Sequence, residues 1–488
     1  MISLPKFVAL AHLLGALLLA VPPALPQNLP DLGDPSQVDL SPEQERQLGE
    51  QIMREIRADR SYLDDPELTD YLNGLGYRLA GGTGARQEFE FFAIRDSSIN
   101  AFALPGGFIG VHTGLIMAAQ SESEVASVLA HEIAHVTQRH LARMFQTQKT
   151  SQITSLVALA VAILAARSNA QISNAAMATA QAMNVQNQLN FTREHEREAD
   201  RIGLQIIEGS GFDPRGMPAF FERLQRGTRL YETSAPAYLR THPLTFERIA
   251  DIQNRTLTLP YRQVADSTEF LLLRARLQAD EGLPRESVRL FENNLAEKKY
   301  ASEQAQRYGL VAALLRAKEP GRAVREATTL RKKFPSHPMV DNLAAQALLA
   351  NNQRAAALEV YRAALKTNPE FRSLVYGYAG ALMEDRQYEA ALGFLSPRLQ
   401  LQRGDPRLFQ LQSQAYAGLG KRLAQHQSMA EAYVLQGNLT AAIDQLQTAL
   451  KSGDGDFYQL SAAEARLREL RVLDASRRKK SEGDPPRQ

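Results

Sequence analysis

The sequence contains no cysteine and no marked excess of charge of either sign. Its 488 residues include 56 Lys and Arg against 54 Asp and Glu, a formal net charge of only +2. The absence of cysteine excludes disulfides, a thiolate nucleophile and a Cys-ligated metal, so any metal would need His, Asp or Glu as ligands. The balanced charge gives no electrostatic reason to expect a nucleic-acid-binding protein.

Long hydrophobic runs are also few. Residues 7–26 follow Lys6, carry no formal charge and have a Leu/Ala core, which predicts a secretory signal peptide over residues 1–26. An uncleaved anchor is the alternative, for which this run is short. Export of a chain without cysteine suits a bacterial periplasm, where thiols are at risk of oxidation. We therefore expect a periplasmic protein.

A second apolar segment lies at residues 151–190, where Arg167 is the one charged residue. Its apolar core, residues 153–166, would form a helix of about 21 Å, which is shorter than a bilayer core. We expect a lid or a buried hairpin here. Peripheral contact with a membrane surface is the alternative.

The remaining N-terminal part shows helix and strand signals. A capping box predicts a helix that begins after Ser41, and a second helix is expected at residues 65–79. Residues 87–94 alternate as a strand does, and apolar stretches on both sides of Pro105-Gly106-Gly107 predict a hairpin. Ser121 and Glu124 predict a second capping box, which would open the helix that carries residues 131–135.

From about residue 265 the sequence repeats with a period of 34 residues. Three sets of positions share this spacing: Leu314, Leu348 and Leu382; Ala323, Ala357 and Ala391; Pro335 and Pro369. This pattern resembles the tetratricopeptide repeat, a helix–turn–helix unit with small residues where its helices cross. We expect a repeat domain at residues 263–476, with an extra helix near 406–419, and a disordered charged tail at 477–488.

The chemistry of the chain centres on the motif His-Glu-Ile-Ala-His at residues 131–135. On a helix, His131 and His135 are four residues apart and lie on one face, so both imidazoles can bind a single cation. Glu132 lies beside the first histidine and is placed to act as a base. This is the zincin signature, although the bare pattern also occurs by chance.

The third ligand must come from elsewhere. On a continuous helix His140 would point away from the two motif histidines, so we expect an ordinary residue of the surface or of the second helix face and not a metal ligand. A later helix offers Glu194, Glu196 and Glu198. Glu196 shares a face with Asp200, so Glu196 can ligate while Asp200 accepts an N–H from a ligating histidine as a second-shell partner.

Three motifs in this order resemble the M48 family of metallopeptidases. They are residues 131–135, Glu-x-x-Ala-Asp at 196–200, and Thr-His-Pro followed by an arginine at 241–248; residues 100–115 also look like the family. The resemblance implies a mainly α chain. A zincin-type α+β metalloprotease domain with a small β-sheet would occupy residues 27–262, followed by the α-helical tetratricopeptide-repeat solenoid.

The resemblance also implies the parts of an active site. It implies one zinc ion per chain, bound by His131, His135 and Glu196, with Glu132 as the general base. It points to two further catalytic candidates, His242 and Arg248, as donors to the oxyanion. The strand near residue 100 would bind an extended substrate by strand addition, through Asn100, Ala101, Phe102 and Ala103.

His242 admits a second reading. A neutral imidazole on this loop could occupy the fourth metal position and hold the enzyme latent. Together with a lid at residues 151–190, this would restrain an exported protease that has no recognisable propeptide.

Along the chain, a signal peptide is followed by the M48-like domain and then by the repeats. This arrangement is similar to that of a periplasmic branch of the family. This similarity implies an endoprotease and quality-control factor for unfolded or misassembled outer-membrane β-barrel proteins. The repeats would bind the outer-membrane barrel assembly machinery. The alternatives are a repeat-based chaperone or adaptor with latent proteolysis and, less favoured, a processing aminopeptidase or a non-proteolytic zinc hydrolase.

Overall fold

The computed structural model describes residues 41–84, 87–147, 193–230 and 237–482. The predicted signal peptide, the apolar segment 151–190 and residues 483–488 lie outside the described residues. Within these ranges the chain is mainly helical with one small sheet, which confirms the predicted fold class. No helix in the same ranges is long and apolar enough to cross a membrane.

Two capped helices begin the described chain. Helix α1 spans Pro42–Ala58, and Ser41 and Gln44 form the predicted capping box at its start. Helix α2 spans Pro66–Ala80, and the Asp65 side chain accepts a hydrogen bond from the Leu68 backbone N–H at its N-terminus. Both helices bury an apolar face.

Three strands form one sheet in the order β1-β3-β2. Strand β1 (Glu90–Ile94) pairs in parallel with β3 (Phe108–His112), and β2 (Ala101–Leu104) pairs antiparallel with β3. Gly106 and Gly107 turn the predicted hairpin with φ of +79° and +86°, a conformation that favours glycine. Because the strand order is β1-β3-β2, strand β2 lies at an edge of the sheet.

Helix α3 (Thr113–Ala118) leads to the central helix α4 (Glu122–Thr137), which carries the histidine motif. The capping box predicted for α4 is wrong, because the Ser121 side chain makes no capping hydrogen bond. Glu124 instead accepts from the Gln120 backbone N–H, at 2.6 Å, and from Arg223. After α4 the chain turns at Arg139 and begins a new helix, α5 (His140–Thr147).

Four more helices of the N-terminal part lie within the described ranges. They are α6 (Arg193–Gly209), α7 (Gly216–Leu230), α8 (Ala237–Thr241) and α9 (Phe246–Leu257). Helix α4 packs against α2, α6, α7 and β2, so it lies in the core of this part. Gly203 lets α6 come close, because a Cβ there would lie 3.2 Å from the His131 backbone nitrogen.

The C-terminal part is a run of helices, each packed on the next. Their bounds are α10 Thr268–Asp280, α11 Pro284–Ala296, α12 Glu303–Arg316, α13 Pro320–Lys333, α14 Pro338–Ala350, α15 Arg354–Thr367, α16 Arg372–Glu384, α17 Tyr388–Leu401, α18 Pro406–Gly418, α19 Arg422–Leu435, α20 Leu439–Leu450 and α21 Phe457–Glu482. The alanines of the 34-residue pattern, Ala323, Ala357 and Ala391, are fully buried. The extra helix predicted near residues 406–419 is α18.

The last helix corrects the prediction for the tail. Helix α21 runs to Glu482, so residues 477–482 are helical where the sequence predicted disorder. This segment is Arg-Arg-Lys-Lys-Ser-Glu and continues a helix rich in Ala, Leu, Arg and Glu, all of which have high helix propensity.

The repeat helices pack directly against the N-terminal part. Glu67 on α2 is buried and accepts hydrogen bonds from Asn342 on α14 and Ser373 on α16, both at 2.8 Å. Arg276 on α10 pairs with Glu67 and lies 2.7 Å from Asp65. We call Glu67, Arg276, Asn342 and Ser373 the interface node.

Candidate metal centre

The two motif histidines lie deep in the core on one face of α4. Neither His131 nor His135 is exposed to solvent by more than 2%. Their Nε2 atoms lie 3.0 Å apart, so both nitrogens point into the same small space. The four-residue spacing on a regular helix produces this convergence.

Helix α6 brings a carboxylate to the same space. Glu196 Oε2 lies 3.5 Å from His131 Nε2, and Glu196 Oε1 lies 3.5 Å from His135 Nε2. Glu194 is exposed and points elsewhere. The structure thus places Glu196, and not Glu194, next to the two imidazoles.

His242 joins these three groups from the loop after α8. Its Nδ1 lies 3.0 Å from Glu196 Oε1 and 3.4 Å from His131 Nε2. One donor atom from each of the four side chains lies within 4.8 Å of the other three. Sequence reasoning proposed this position for His242 as one of two readings.

The donor set fits a metal ion. Two imidazoles and a carboxylate are the ligands of many catalytic zinc sites, and all of these side chains are buried. Two imidazole nitrogens 3.0 Å apart, with a carboxylate beside them, are a costly arrangement for buried polar atoms unless protons or a cation lie between them. A cation at this point would satisfy them together.

The electrostatics of the cluster agree with this assignment. Burial raises the pKa of Glu196, but His242, His131 and His135 outweigh it and hold this pKa well below its ordinary value. Burial lowers the pKa of His131, but Asp200 and Glu196 overcome it and raise this pKa to about 9. Glu196 is therefore ionised, and a metal would displace a proton from His131 on binding.

Asp200 lies behind His131, as helix periodicity predicts. Its Oδ1 is 3.0 Å from His131 Nδ1, the nitrogen that faces away from the cluster. Arg248 donates to both Asp200 oxygens, from Nε at 2.7 Å and from Nη2 at 2.8 Å. Asp200 is thus positioned to orient His131.

Arg248 does not lie as the predicted oxyanion donor would. Its Nη1 donates to the Pro243 carbonyl at 2.8 Å and lies 2.7 Å from Glu196 Oε2. Together with the two bonds to Asp200, these contacts direct the guanidinium towards buried protein groups. It does not face the position where an oxyanion of the substrate would form. These contacts favour a positioning role, which corrects the prediction of a direct catalytic one.

Glu132 is buried beside the cluster. Neither carboxylate oxygen has a hydrogen-bond partner among the described residues, and Oε1 lies 3.5 Å from His242 Nε2. Burial raises the pKa of this carboxyl, against the opposing effects of His242 and His131. A buried carboxyl at this position is placed to accept and return a proton.

The edge strand β2 packs against α4 at the same place. The Asn100 carbonyl accepts from the His112 N–H at 3.0 Å, which makes these two a hydrogen-bonded pair. In an antiparallel ladder such pairs alternate. Phe102 therefore bonds to β3, while the backbone groups of Ala101 and Ala103 face away from the sheet.

The prediction that His140 points away from the motif is wrong, although His140 lies outside the four-residue donor cluster. His140 is fully buried, and its Nδ1 lies 2.9 Å from His135 Nδ1. The helix that carries the motif ends at Thr137, and Arg139 adopts a φ of +52°, so the chain turns back on the motif. A continuous helix, on which the prediction rested, does not exist here.

Tyr238 is a further residue of the site that sequence reasoning missed. It is fully buried, and its ring stacks on His242 with centroids 4.7 Å apart. Burial and the charge of Glu132 raise the pKa of its phenol well above the ordinary value. The four-residue spacing of Tyr238 and His242 could have revealed it, because α8 brings the pair together.

Comparison with known proteins shows which family the chain resembles. The family model "Peptidase family M48" matches residues 66–256, and a tetratricopeptide-repeat model matches residues 348–415. The β-barrel assembly-enhancing protease of Escherichia coli K12 is 34% identical over 450 residues, which cover 91% of this chain and 92% of that protein. The Yersinia pestis protein of the same name is 34% identical over 454 residues, which cover 92% and 93%.

A more distant relative matches the N-terminal part. The mitochondrial metalloendopeptidase OMA1 of Schizosaccharomyces pombe is 31% identical over 234 residues, which cover 47% of this chain and 65% of that protein. The two family matches, the similarity over nearly the full length and the buried His/Glu cluster agree with one another. The chain belongs to peptidase family M48 and is a metalloprotease with C-terminal tetratricopeptide repeats.

Proposed function

We propose that this metalloprotease is a zinc-dependent endoprotease of the periplasm, which degrades misassembled outer-membrane β-barrel proteins and assists their assembly. The observation that carries the enzymatic part is the convergence of His131, His135 and Glu196 beside the buried Glu132. The assembly role and the periplasmic location rest on the similarity to β-barrel assembly-enhancing proteases and on the predicted signal peptide.

Each group near the cluster has a role in peptide hydrolysis. A bound zinc ion would polarise the scissile carbonyl and lower the pKa of water. Glu132 takes the proton of the attacking water and returns it to the leaving amine. Asp200 orients His131, and Arg248 holds both Asp200 and Glu196 in place.

The edge of β2 binds the substrate backbone. The outward-facing N–H and C=O groups of Ala103, which is partly exposed, pair with an extended peptide as an added strand, whereas Ala101 is buried. Asn100 and Phe102 direct their backbone groups to β3 and contribute through their side chains only. Recognition of this kind depends little on sequence, which suits a protease for misfolded chains.

His242 restrains the enzyme at rest in this proposal. Its imidazole lies within the donor set and 3.5 Å from Glu132, where it would compete with water for a bound metal. When the loop moves away, the same imidazole can donate to the oxyanion. This placement also favours the second candidate function, a repeat-based chaperone in which proteolysis is a latent exit.

The repeats are proposed to bind the partner, the outer-membrane barrel assembly machinery. Helices α17, α18 and α19 line a cleft of about 450 Å³, with Leu399, Phe409 and Arg403 among its side chains. Deleting residues 265–488 to test this would expose the buried interface node. Arg403→Glu in the full chain is the cleaner variant, and it should reduce recovery of the partner in a pull-down.

Cleavage of an unfolded outer-membrane protein tests the enzymatic proposal. Purified full chain, Glu132→Gln and His242→Ala are compared by mass spectrometry of the fragments. Glu132→Gln should lower the rate by about 10²–10⁴-fold, the usual contribution of a general base. Cleavage by Glu132→Gln at the unaltered rate would exclude this proteolytic mechanism.

The His242→Ala variant separates the two roles of this residue. If His242 restrains the enzyme at rest, His242→Ala should cleave the substrate faster than the unaltered chain, and this cleavage should still require Glu132. If cleavage falls to the level of Glu132→Gln, His242 serves as an oxyanion donor alone.

A further inference from the structure

His140 contacts the metal centre through His135. The two rings lie nearly edge to face, with centroids 4.8 Å apart, and their Nδ1 atoms are 2.9 Å apart. Both residues are buried, so neither nitrogen exchanges this contact for bulk water. His140 Nε2 in turn lies 3.2 Å from Glu198 Oε2.

The positions of the protons in this chain of contacts follow from its geometry. If His135 binds the metal through Nε2, its neutral ring carries the remaining proton on Nδ1. That N–H would then be donated to the lone pair of His140 Nδ1, which lies 2.9 Å away. His140 then carries its proton on Nε2 and donates it to the Glu198 carboxylate.

We propose that His140 is a positioning residue for the metal, which fixes the orientation and tautomer of His135. The inference rests on the proposed metal site. A ligating histidine usually donates its second N–H to a carboxylate, a carbonyl or water. His131 Nδ1 has such a carboxylate, that of Asp200, 3.0 Å away, whereas His135 Nδ1 faces a second imidazole, which itself contacts Glu198.

The fold holds His140 in place from several sides. Its ring stacks on His195 with centroids 4.5 Å apart and an interplanar angle of 17°. Glu198 accepts from Arg143 Nη1 at 3.0 Å, which fixes the carboxylate that faces His140. The acceptor is therefore pre-oriented before a metal binds.

The turn before His140 is also secured. Arg139 is one of five non-glycine residues with positive φ among the described residues, a conformation that is unfavourable for a side chain with a Cβ and persists where the surroundings impose it. Its guanidinium pairs with Glu45 on α1. A distant helix thus holds the turn that delivers His140 to His135.

Two amide substitutions test the acceptor specifically. In His140→Asn, the amide oxygen can occupy the position of Nδ1 and still accept from His135. In His140→Gln, the longer side chain reaches the position of Nε2, so it keeps the contact with Glu198 but loses the acceptor. The experiment measures the zinc dissociation constant of the full chain by competition with a chelator, with circular dichroism of each metal-free variant.

We expect His140→Gln to weaken zinc binding by about 10–100-fold, the usual effect of losing such a partner. His140→Asn should bind zinc nearly as well as the unaltered chain. Equal affinity of His140→Gln and the unaltered chain overturns the inference. Equal weakening of both variants with intact folds also overturns it, because the role would then be packing.

Two further variants complete the test. Glu198 is partly exposed, so Glu198→Ala should fold even if the His140 variants do not. Glu198→Ala should bind zinc more weakly than Glu198→Gln, whose amide oxygen still accepts from His140; equal affinities contradict the inference. His135→Ala must lose zinc, and if it retains the ion, the metal site itself is wrong rather than the role of His140.

Discussion

Buried charges around the metal centre are held by an arginine. Arg248 pairs with Asp200 and Glu196, two carboxylates that would otherwise repel each other inside the core. Burial raises the pKa of Asp200, yet Arg248 and His131 keep it below its ordinary value. Arg248 thus supplies a counter-charge to both carboxylates, and the histidines of the cluster add to its effect on their pKa values.

Loss of Arg248 should be costly. Arg248→Ala leaves two buried carboxylates without their counter-charge, so we expect a loss of about 3–5 kcal/mol in the free energy of unfolding. The control is Arg197→Ala, whose pair with Glu247 is exposed on both sides and should contribute about 0–1 kcal/mol. Urea unfolding measures both variants, and similar costs for the two would contradict the assigned role.

At the residue scale, local periodicity predicted most of the centre. The faces of α4 and α6 group His131 with His135 and Glu196 with Asp200, and the family resemblance singled out Glu196 among the three glutamates; the structure brings these four side chains together. His140 was misplaced because its position depends on a single positive φ at Arg139, and arginine gives no signal for such a turn. The contacts of Arg248 join groups about 50 residues apart, which local pattern does not reach.

At the element scale, the centre depends on the close crossing of α4 and α6. Gly203 lies where the two backbones meet, next to the His131 nitrogen. The predicted hairpin and the capped start of α1 follow from turn and cap chemistry that acts over four residues. The box at Ser121 failed because Arg223, nearly a hundred residues away, recruits Glu124.

Gly203→Ala tests the crossing. The added Cβ would meet backbone atoms of α4 at 3.2–3.3 Å, so the helices must separate, at a cost of about 1–3 kcal/mol in stability. Zinc affinity should fall as well, because Glu196 moves with α6. The matched control is Gly209→Ala on the same helix, where a Cβ meets nothing within 4 Å. Calorimetry measures the stability of both variants and titration measures their zinc affinity. Equal stability and equal zinc affinity of the two variants would show that the close crossing of α4 and α6 does not require glycine at position 203.

At the scale of the whole molecule, the repeats and the protease part are joined by the interface node. Glu67 is the shared acceptor of three repeat helices, and it extends from α2 of the protease part. The 34-residue period predicted the repeat array but not this contact. Its partners lie 209 to 306 residues from Glu67 and leave no local pattern.

Truncation of Glu67 should cost more stability than truncation of an exposed pair at the same interface. Glu67→Ala strands Arg276, Asn342 and Ser373, and we expect a loss of about 3–5 kcal/mol in the free energy of unfolding. Asp70→Ala removes an exposed pair with Arg372 at the same interface and should cost about 0–1 kcal/mol. Comparable losses in urea unfolding would show that the node is not the main polar contact.

The node also predicts a dependence on pH. Burial raises the pKa of Glu67, against the opposing effect of Arg276, so the folded chain holds this proton to higher pH than the unfolded chain. The free energy of unfolding of the unaltered chain, relative to that of Glu67→Gln, should therefore be greatest at acid pH. It should fall as the pH rises from the pKa of Glu67 in the unfolded chain to its higher pKa in the folded chain. A rise over the same interval would contradict the assignment.

Metal analysis of two glutamate variants tests the account most directly. Glu194 and Glu196 are two residues apart on α6, and only Glu196 faces the motif histidines. The unaltered chain should bind one zinc ion, Glu194→Ala should keep it, and Glu196→Ala should lose it. Retained zinc in Glu196→Ala together with lost zinc in Glu194→Ala would contradict the site described here.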